Sequence, residues 1–332
     1  MTALHIAIRA DAGPTIGFGH VMRCITLGTA LIDRGHRVSL VSRNPVESLM
    51  KRCKNFGIAP VEIPPSTDDA SALKALRADL VIFDGYHLAD SASTFYEHGI
   101  RWMGVDDNRE LPIATASAVL NHNLFANDAM YPELAAEQIW TGPEFALLRN
   151  DLTALERHDA QPPIANQIVL SMGGADPLDL SKVLALGIAE SPNTTVRVAT
   201  NAARRSHKEL AAVVAQHSQV EFATANLIET FRVSDIAVIG AGTTLWETAY
   251  LGIPTVALVT ADNQEDGARS AARAGIAIML DARDRPPDVI VAQVAELASD
   301  RQARVEMMRR GHDLFDGKGP HRVARRIETL LG

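Results

Sequence analysis

Apolar residues in this chain gather in short runs, and between the runs they recur every three or four positions. The runs read as strands buried on both faces. The spaced stretches read as amphipathic helices, and their alternation as α/β units with parallel sheets. In the first half, strands are expected at 5–8, 38–41, 80–83, 102–105 and 118–120, with helices at 21–34, 46–56, 70–76 and 91–98. The pattern restarts in the second half. Strands are expected there at 167–172, 195–199, 220–222, 236–239, 255–259 and 277–280, and helices at 178–189, 203–217, 226–233, 244–250, 263–274 and 287–299. The tail, 301–331, is helical and amphipathic, with a break at Gly317-Lys318-Gly319-Pro320.

Between the halves lies a polar stretch, 151–167, containing Pro162-Pro163, which suits a linker. The expected partition is 1–155 and 156–332, with the last helix either in the second domain or packed back on the first. The fold class expected is α/β, two doubly wound Rossmann-like domains facing a cleft. Open sheets of this kind bind ligands at the carboxyl ends of their strands.

Composition narrows the partners. The 332 residues are 47% hydrophobic and 22% charged, enough for two cores. A formal net charge of -8 without a basic stripe argues against nucleic acid. Two cysteines, Cys24 and Cys53, fit a reducing compartment without a disulfide framework. No signal peptide or membrane-length apolar run is read, so a cytoplasmic location is expected.

The chemistry begins at the first strand-to-helix turn, Arg9-Ala10-Asp11-Ala12-Gly13-Pro14-Thr15-Ile16-Gly17-Phe18-Gly19-His20. Glycines there admit an anionic ligand to the backbone, and the helix start offers unpaired N–H groups. His20 stands at the mouth, able to take a proton near neutral pH. The alternative is a tight turn with a helix-capping histidine. A dinucleotide fingerprint is not met: Met22 stands where the third glycine belongs, and 37–41 runs into Ser42-Arg43 rather than an acid. In the second half, Gly240-Ala241-Gly242-Thr243-Thr244-Leu245-Trp246-Glu247 follows a strand. Its amides and hydroxyls can donate to a diphosphate, and Glu247 can accept from ribose hydroxyls. Thr244-x-x-Glu247 also reads as a capping box, and spacing leaves both readings open. Ser171-Met172-Gly173-Gly174-Ala175-Asp176-Pro177 is a further glycine-rich turn, and Asn263-Gln264 follows the next strand.

RADAGPTIGFGHVMRC, GGAD, GAGTTLWE, LGIP and DNQ occur in that order, with Phe83-Asp84-Gly85-Tyr86, Val105-Asp106-Asp107, Leu120-Asn121-His122-Asn123 and Gly142-Pro143-Glu144-Phe145-Ala146-Leu147-Leu148-Arg149 between them. Together they resemble the UDP-2,4-diacetamido-2,4,6-trideoxy-β-L-altropyranose hydrolases of the pseudaminic acid pathway, across nearly the whole chain. The resemblance implies a GT-B fold and metal-independent release of UDP from the sugar. It implies that His20 is the general base on water. UDP would lie on Gly242, Thr243 and Thr244, with Glu247 on the ribose and Asn263 and Gln264 nearby. Gly85 departs from the family's usual Asp-His-Tyr, and His87 is a candidate substitute.

The remaining assignments come from the residues themselves. Asp11 orients His20, holds the sugar, or merely forms a turn. Arg9, Gly17, Gly19, Tyr86, Asn121 and Asn123 are candidate sugar contacts, and Gly173 and Gly174 candidate nucleotide contacts. Asp106-Asp107 reads as a strand-end turn rather than a metal pair, since no ligand spacing surrounds it. No metal or cofactor is expected. His36, His158, His207 and His217 read as surface or turn positions. The expected partner is a UDP-sugar. The alternative function is a UDP-sugar-dependent glycosyltransferase of the same fold, since fold alone does not choose between them.

Overall fold

A computed structural model of the chain describes residues 2–13, 18–43, 45–173, 176–200, 205–224 and 227–332. It has two compact units, Met1–Asn150 with Gly317–Gly332, and Asp151–Asp316. In the first, the order is β1 (His5–Ala10), α1 (Gly19–Asp33), β2 (Arg37–Ser42), α2 (Glu47–Asn55), β3 (Ala59–Glu62), α3 (Asp69–Ala75), β4 (Leu80–Asp84), α4 (Ala89–Ser93), β5 (Trp102–Val105), β6 (Ala118–Asn121) and β7 (Ile139–Thr141). The strands form one parallel sheet in the order β3-β2-β1-β4-β5-β6-β7. Ile6, Ile8, Leu80 and Ile82 join the core on one face, and Ala7, Val81 and Phe83 the core on the other. A sheet covered on both faces explains why its strands read as continuous apolar runs.

The second unit follows a short helix, α5 (Asn150–Thr153), at the junction. It contains β8 (Gln167–Ser171), α6 (Leu180–Ala189), β9 (Thr195–Ala199), α7 (Arg205–Gln216), β10 (Val220–Phe222), α8 (Leu227–Arg232), β11 (Ile236–Gly240), α9 (Thr244–Leu251), β12 (Thr255–Val259), α10 (Glu265–Ala274), β13 (Ile278–Asp281), α11 (Pro287–Ser299) and α12 (Arg301–Leu314). Its parallel sheet runs β10-β9-β8-β11-β12-β13. The expected fold class, two doubly wound α/β domains, is therefore what the chain adopts. Each sheet reverses direction of growth once, between β1 and β4 and between β8 and β11, and ligand sites form at such switch points.

The last helix, α13 (Gly319–Leu331), belongs to the first unit. It buries Val323, Ala324 and Ile327 in the core containing Ile6 and Leu27. Glu328 accepts a two-pronged pair from Arg34, at 2.8 and 2.6 Å, and lies 2.9 Å from His36 Nε2. His36 is thus buried behind α13, correcting its reading as a surface histidine. Strands β3 and β7 were not expected. Both are sheet edges, and β3 carries Pro60, a residue tolerated only where no ladder partner needs its N–H. The helix expected at 91–98 ends early, at Ser93.

Helix α12 crosses α9 at Gly311, where a Cβ would strike the Ala249 carbonyl. In an open helix, Gly→Ala gains about 1 kcal/mol. Here the sign reverses. Gly311→Ala is expected to destabilise the protein by about 1–3 kcal/mol through overpacking, and thermal melting reads it. A raised melting temperature would show that the two backbones are not in contact.

Candidate active site

The first unit's switch point concentrates buried charge. β1 and β4 are adjacent, with Ala10 paired in register to Asp84, the last residue of β4. The turn after β1 leads to α1, whose second residue is His20. Its Nδ1 lies 2.6 Å from Asp84 Oδ1. Arg23, one helical turn on, donates from Nε to Asp84 Oδ2 and from Nη2 to Oδ1, both at 2.6 Å. Cys24 Sγ donates to Asp84 Oδ2 at 3.3 Å. Burial alone would raise the Asp84 pKa, but the charges of Arg23 and His20 hold it well below the usual carboxylate range. Tyr86 stands edge-on to the His20 ring, 4.9 Å between centroids, and is partly exposed, as is Phe18. No hydrogen-bond partner for His20 Nε2 is found among the described residues.

Strands β5 and β6 extend the network. Arg23 Nη1 donates to both oxygens of Asp107 at 2.8 Å. Asn123 donates to Asp107 Oδ1 at 3.1 Å and to Asn121 Oδ1 at 2.9 Å. Asn121 is fully buried and donates to the Asp107 carbonyl and to Tyr131 Oη. It braces the β5 and β6 ends, which corrects its reading as a sugar contact. His122 is buried too, and burial lowers its pKa to about 4. Asp106 Oδ1 accepts from the Glu110 amide at 2.9 Å, a strand-end turn. Among the described residues, no group of three or more His, Cys, Asp or Glu side chains is placed to hold a metal ion.

A second buried network occupies the β1–β2 edge. Asp11 accepts from Arg9 at 2.8 Å, from Ser42 Oγ at 2.8 Å and from the Arg43 amide at 2.8 Å. Arg9 is wholly buried and also faces Asp69 at 3.3 Å. Two expectations change accordingly. Arg9 is spent inside the fold rather than offered to a sugar, and the carboxylate that holds His20 is Asp84, not Asp11. His87 Nε2 lies 3.3 Å from Asp11 Oδ2. Its ring occupies the space above Gly85, where a Cβ would come within 2.8 Å of His87 Cε1, and Gly85 has φ +147°. Gly19 opens α1, and Gly17 lies outside the described residues.

In the second unit, three candidate groups line the carboxyl edge of neighbouring strands β8, β11 and β12. After β11, Gly242 and Thr243 are exposed and Thr244 begins α9. Thr243 holds the N-cap position and its side chain makes no capping bond, so the capping-box reading of Thr244 and Glu247 does not describe this helix start. Among the described residues, the amides of Thr243 and Thr244 make no hydrogen bond. Glu247 is half-buried in the first turn. After β8, Gly173 is exposed and left-handed, φ +70°, and Gly174 lies outside the described residues. The start of α6 is already filled: Asp176 accepts from the Leu180 amide at 3.0 Å and the Ser181 amide at 3.2 Å. After β12, Gln264 accepts from the Thr260 amide at 2.8 Å and so closes its own turn, whereas Asn263 is exposed.

Residues 181–318, which include the Gly242–Glu247 turn and Asn263, match the glycosyltransferase family 28 C-terminal domain. The spore coat polysaccharide biosynthesis protein SpsG of Bacillus subtilis is 23% identical over 98% of both chains. The UDP-2,4-diacetamido-2,4,6-trideoxy-beta-L-altropyranose hydrolase of Campylobacter jejuni is 23% identical, covering 82% of this chain and 97% of its own. A UDP co-structure of MnaA from S. aureus superposes with a TM-score of 0.73 at 13% identity, covering 99% of this chain and 97% of that one. The chain is a GT-B-fold relative of nucleotide-sugar enzymes. No helix among the described residues is long and apolar enough to cross a membrane.

In this GT-B chain, sequence reasoning placed His20 but missed Asp84, Arg23 and Asp107 as its surroundings. The available signal was the pair His20 and Arg23, three apart on one helix face, opposite an acid ending a neighbouring strand.

Asp106 provides a test of the electrostatics at this edge. Burial first, then the neighbouring Asp107 charge, raises its pKa from 3.8 to about 6. A raised carboxyl pKa means that the folded state keeps a proton that the unfolded chain releases. The fold therefore loses stability as pH rises from about 4 to about 6, by on the order of 2–3 kcal/mol. Asp106→Asn keeps the acceptor for Glu110 and cannot ionise. Its melting temperature relative to the parent should be more favourable at pH 8 than at pH 4. An equal difference at both values would show that Asp106 ionises normally.

Proposed function

We propose that this chain hydrolyses a UDP-linked diacetamido-trideoxy sugar, UDP-2,4-diacetamido-2,4,6-trideoxy-β-L-altropyranose, to UDP and free sugar. The observation that carries the reading is the His20–Asp84 pair at the switch point of the first sheet, 2.6 Å apart, with no partner for Nε2 among the described residues. Nε2 takes a proton from water as the water oxygen bonds to the anomeric carbon. The carbon–oxygen bond to the diphosphate breaks, and its electron pair leaves with UDP. Asp84 balances the imidazolium that forms. The sugar is assigned to the first unit, near Tyr86 and Asn123.

UDP is assigned to the second unit. The unbonded amides of Thr243 and Thr244 at the start of α9 suit a diphosphate, whose charge oriented donors can meet without a metal. Glu247 is assigned to the ribose, and Gly173 and Asn263 to the same edge. The name of the Campylobacter relative supports both the nucleotide and the sugar. A second reading, transfer of the sugar to an acceptor hydroxyl, draws support from the glycosyltransferase match over 181–318.

Incubation with this and other UDP-sugars in EDTA, with and without acceptors, separates the readings. Hydrolysis gives equal amounts of UDP and free sugar with no acceptor present. UDP release only when an acceptor is added would favour transfer, and loss in EDTA with recovery in magnesium would overturn the metal-free assignment.

His20→Asn keeps side-chain size but cannot take up the proton. It should lower kcat by about 10²–10⁴-fold while leaving UDP affinity by calorimetry nearly unchanged. Near-normal turnover would remove His20 from the mechanism.

A further inference from the structure

His20 Nδ1 has two neighbours that make opposite demands. Asp84 Oδ1, 2.6 Å away, can only accept a hydrogen bond. Arg23 Nη2, 3.2 Å away, can only donate one. Nδ1 satisfies one of them. Arg23 Nη2 has a better acceptor in the same Asp84 Oδ1, at 2.6 Å. Nη2 has two N–H groups and directs one at Oδ1, whereas a bare Nδ1 would set two acceptors 2.6 Å apart, so Nδ1 carries the hydrogen and donates to Asp84.

The carboxylate that receives this proton is itself immobilised. Asp84 takes His20 and Arg23 Nη2 on Oδ1, and Arg23 Nε and Cys24 Sγ on Oδ2. Two oxygens with about four acceptor sites are then filled. Arg23 supplies two of the four bonds in a planar fork that fixes the plane of the carboxylate. Its Nη1 is anchored in turn by both oxygens of Asp107 at 2.8 Å, and Asp107 by Asn123. All three charged side chains are largely buried, and none can turn to water without breaking a pair.

We infer that Arg23 is the positioning residue that keeps His20 in one tautomer, with hydrogen on Nδ1 and Nε2 bare. Arg23 does this by clamping Asp84 rather than by touching substrate. A bare Nε2 is the form a general base requires, and that consequence rests on the proposed role of His20; the tautomer itself does not. Burial would push the Asp84 carboxyl up, and Arg23 is the first of the charges that hold it ionised.

The tautomer can be read without substrate. Long-range 1H–15N correlation on the 15N-labelled full chain at pH 8, with His20 assigned by its loss in His20→Asn, should show a protonated Nδ1 and an unprotonated Nε2. The opposite pattern in the parent protein would overturn the inference. Arg23→Gln should bring in the Nε2–H form and lower kcat for UDP release by at least about tenfold, with little change in KM. Arg23→Lys keeps a cation between Asp84 and Asp107 but not the fork. It should recover the melting temperature and not the parental tautomer, and it carries the test if Arg23→Gln does not fold. A parental spectrum in Arg23→Lys would show that charge alone suffices and would refute the positioning role. Should the parent protein show the expected tautomer but release no UDP, the hydrolase reading fails while the tautomer assignment stands.

Discussion

The first unit is organised around one buried carboxylate. Asp84 ends a central strand, has no exposure to solvent, and stays ionised because Arg23 and His20 reach it from α1. A lone buried carboxylate would be very costly, and one with every acceptor site filled is tolerable. The constraint propagates outward. It requires α1 to start close against the end of β4. It also requires a second carboxylate, Asp107, to balance the guanidinium, and that ties β5 and β6 to the same cluster.

The same logic separates binding groups from bracing groups. Arg9, Asn121 and Gln264 are residue types that often meet ligands, yet here each satisfies a buried backbone or charged partner. Asp176 does likewise by filling the start of α6. Among the described residues, capacity left open at the two candidate sites includes His20 Nε2 in the first unit and the Thr243 and Thr244 amides at the start of α9 in the second, and buried His122 also keeps both ring nitrogens without a partner. His20 and the start of α9 both lie beside the switch points of their sheets.

Gly85 and His87 are packed as a pair beside Asp11. Gly85 takes a backbone angle that side chains rarely adopt, and the freed space holds the His87 ring against Asp11. Position 85 and position 87 are therefore one structural unit.

Period and punctuation were enough to read most of the architecture. Strands covered on both faces had to be continuous apolar runs, so β1, β4, β8 and β11 were legible. The edge strands of the first sheet, β3 and β7, were not, since β3 contains a proline and β7 has only three residues, whereas the second sheet's edges β10 and β13 were read. His20 and the Gly242–Thr244 turn were legible because glycine before a helix has a specific backbone use. The sequence by itself thus determined the α/β class, the two sheets and the positions of the turns. Only the tertiary structure decided which side chains were spent. Asp84 and His20 are 64 positions apart, and Arg23 and Asp107 are 84 apart. No local pattern encodes a hydrogen bond across that separation; it arises when parallel strands bring their carboxyl ends to one edge and burial forces every charge there to find a partner.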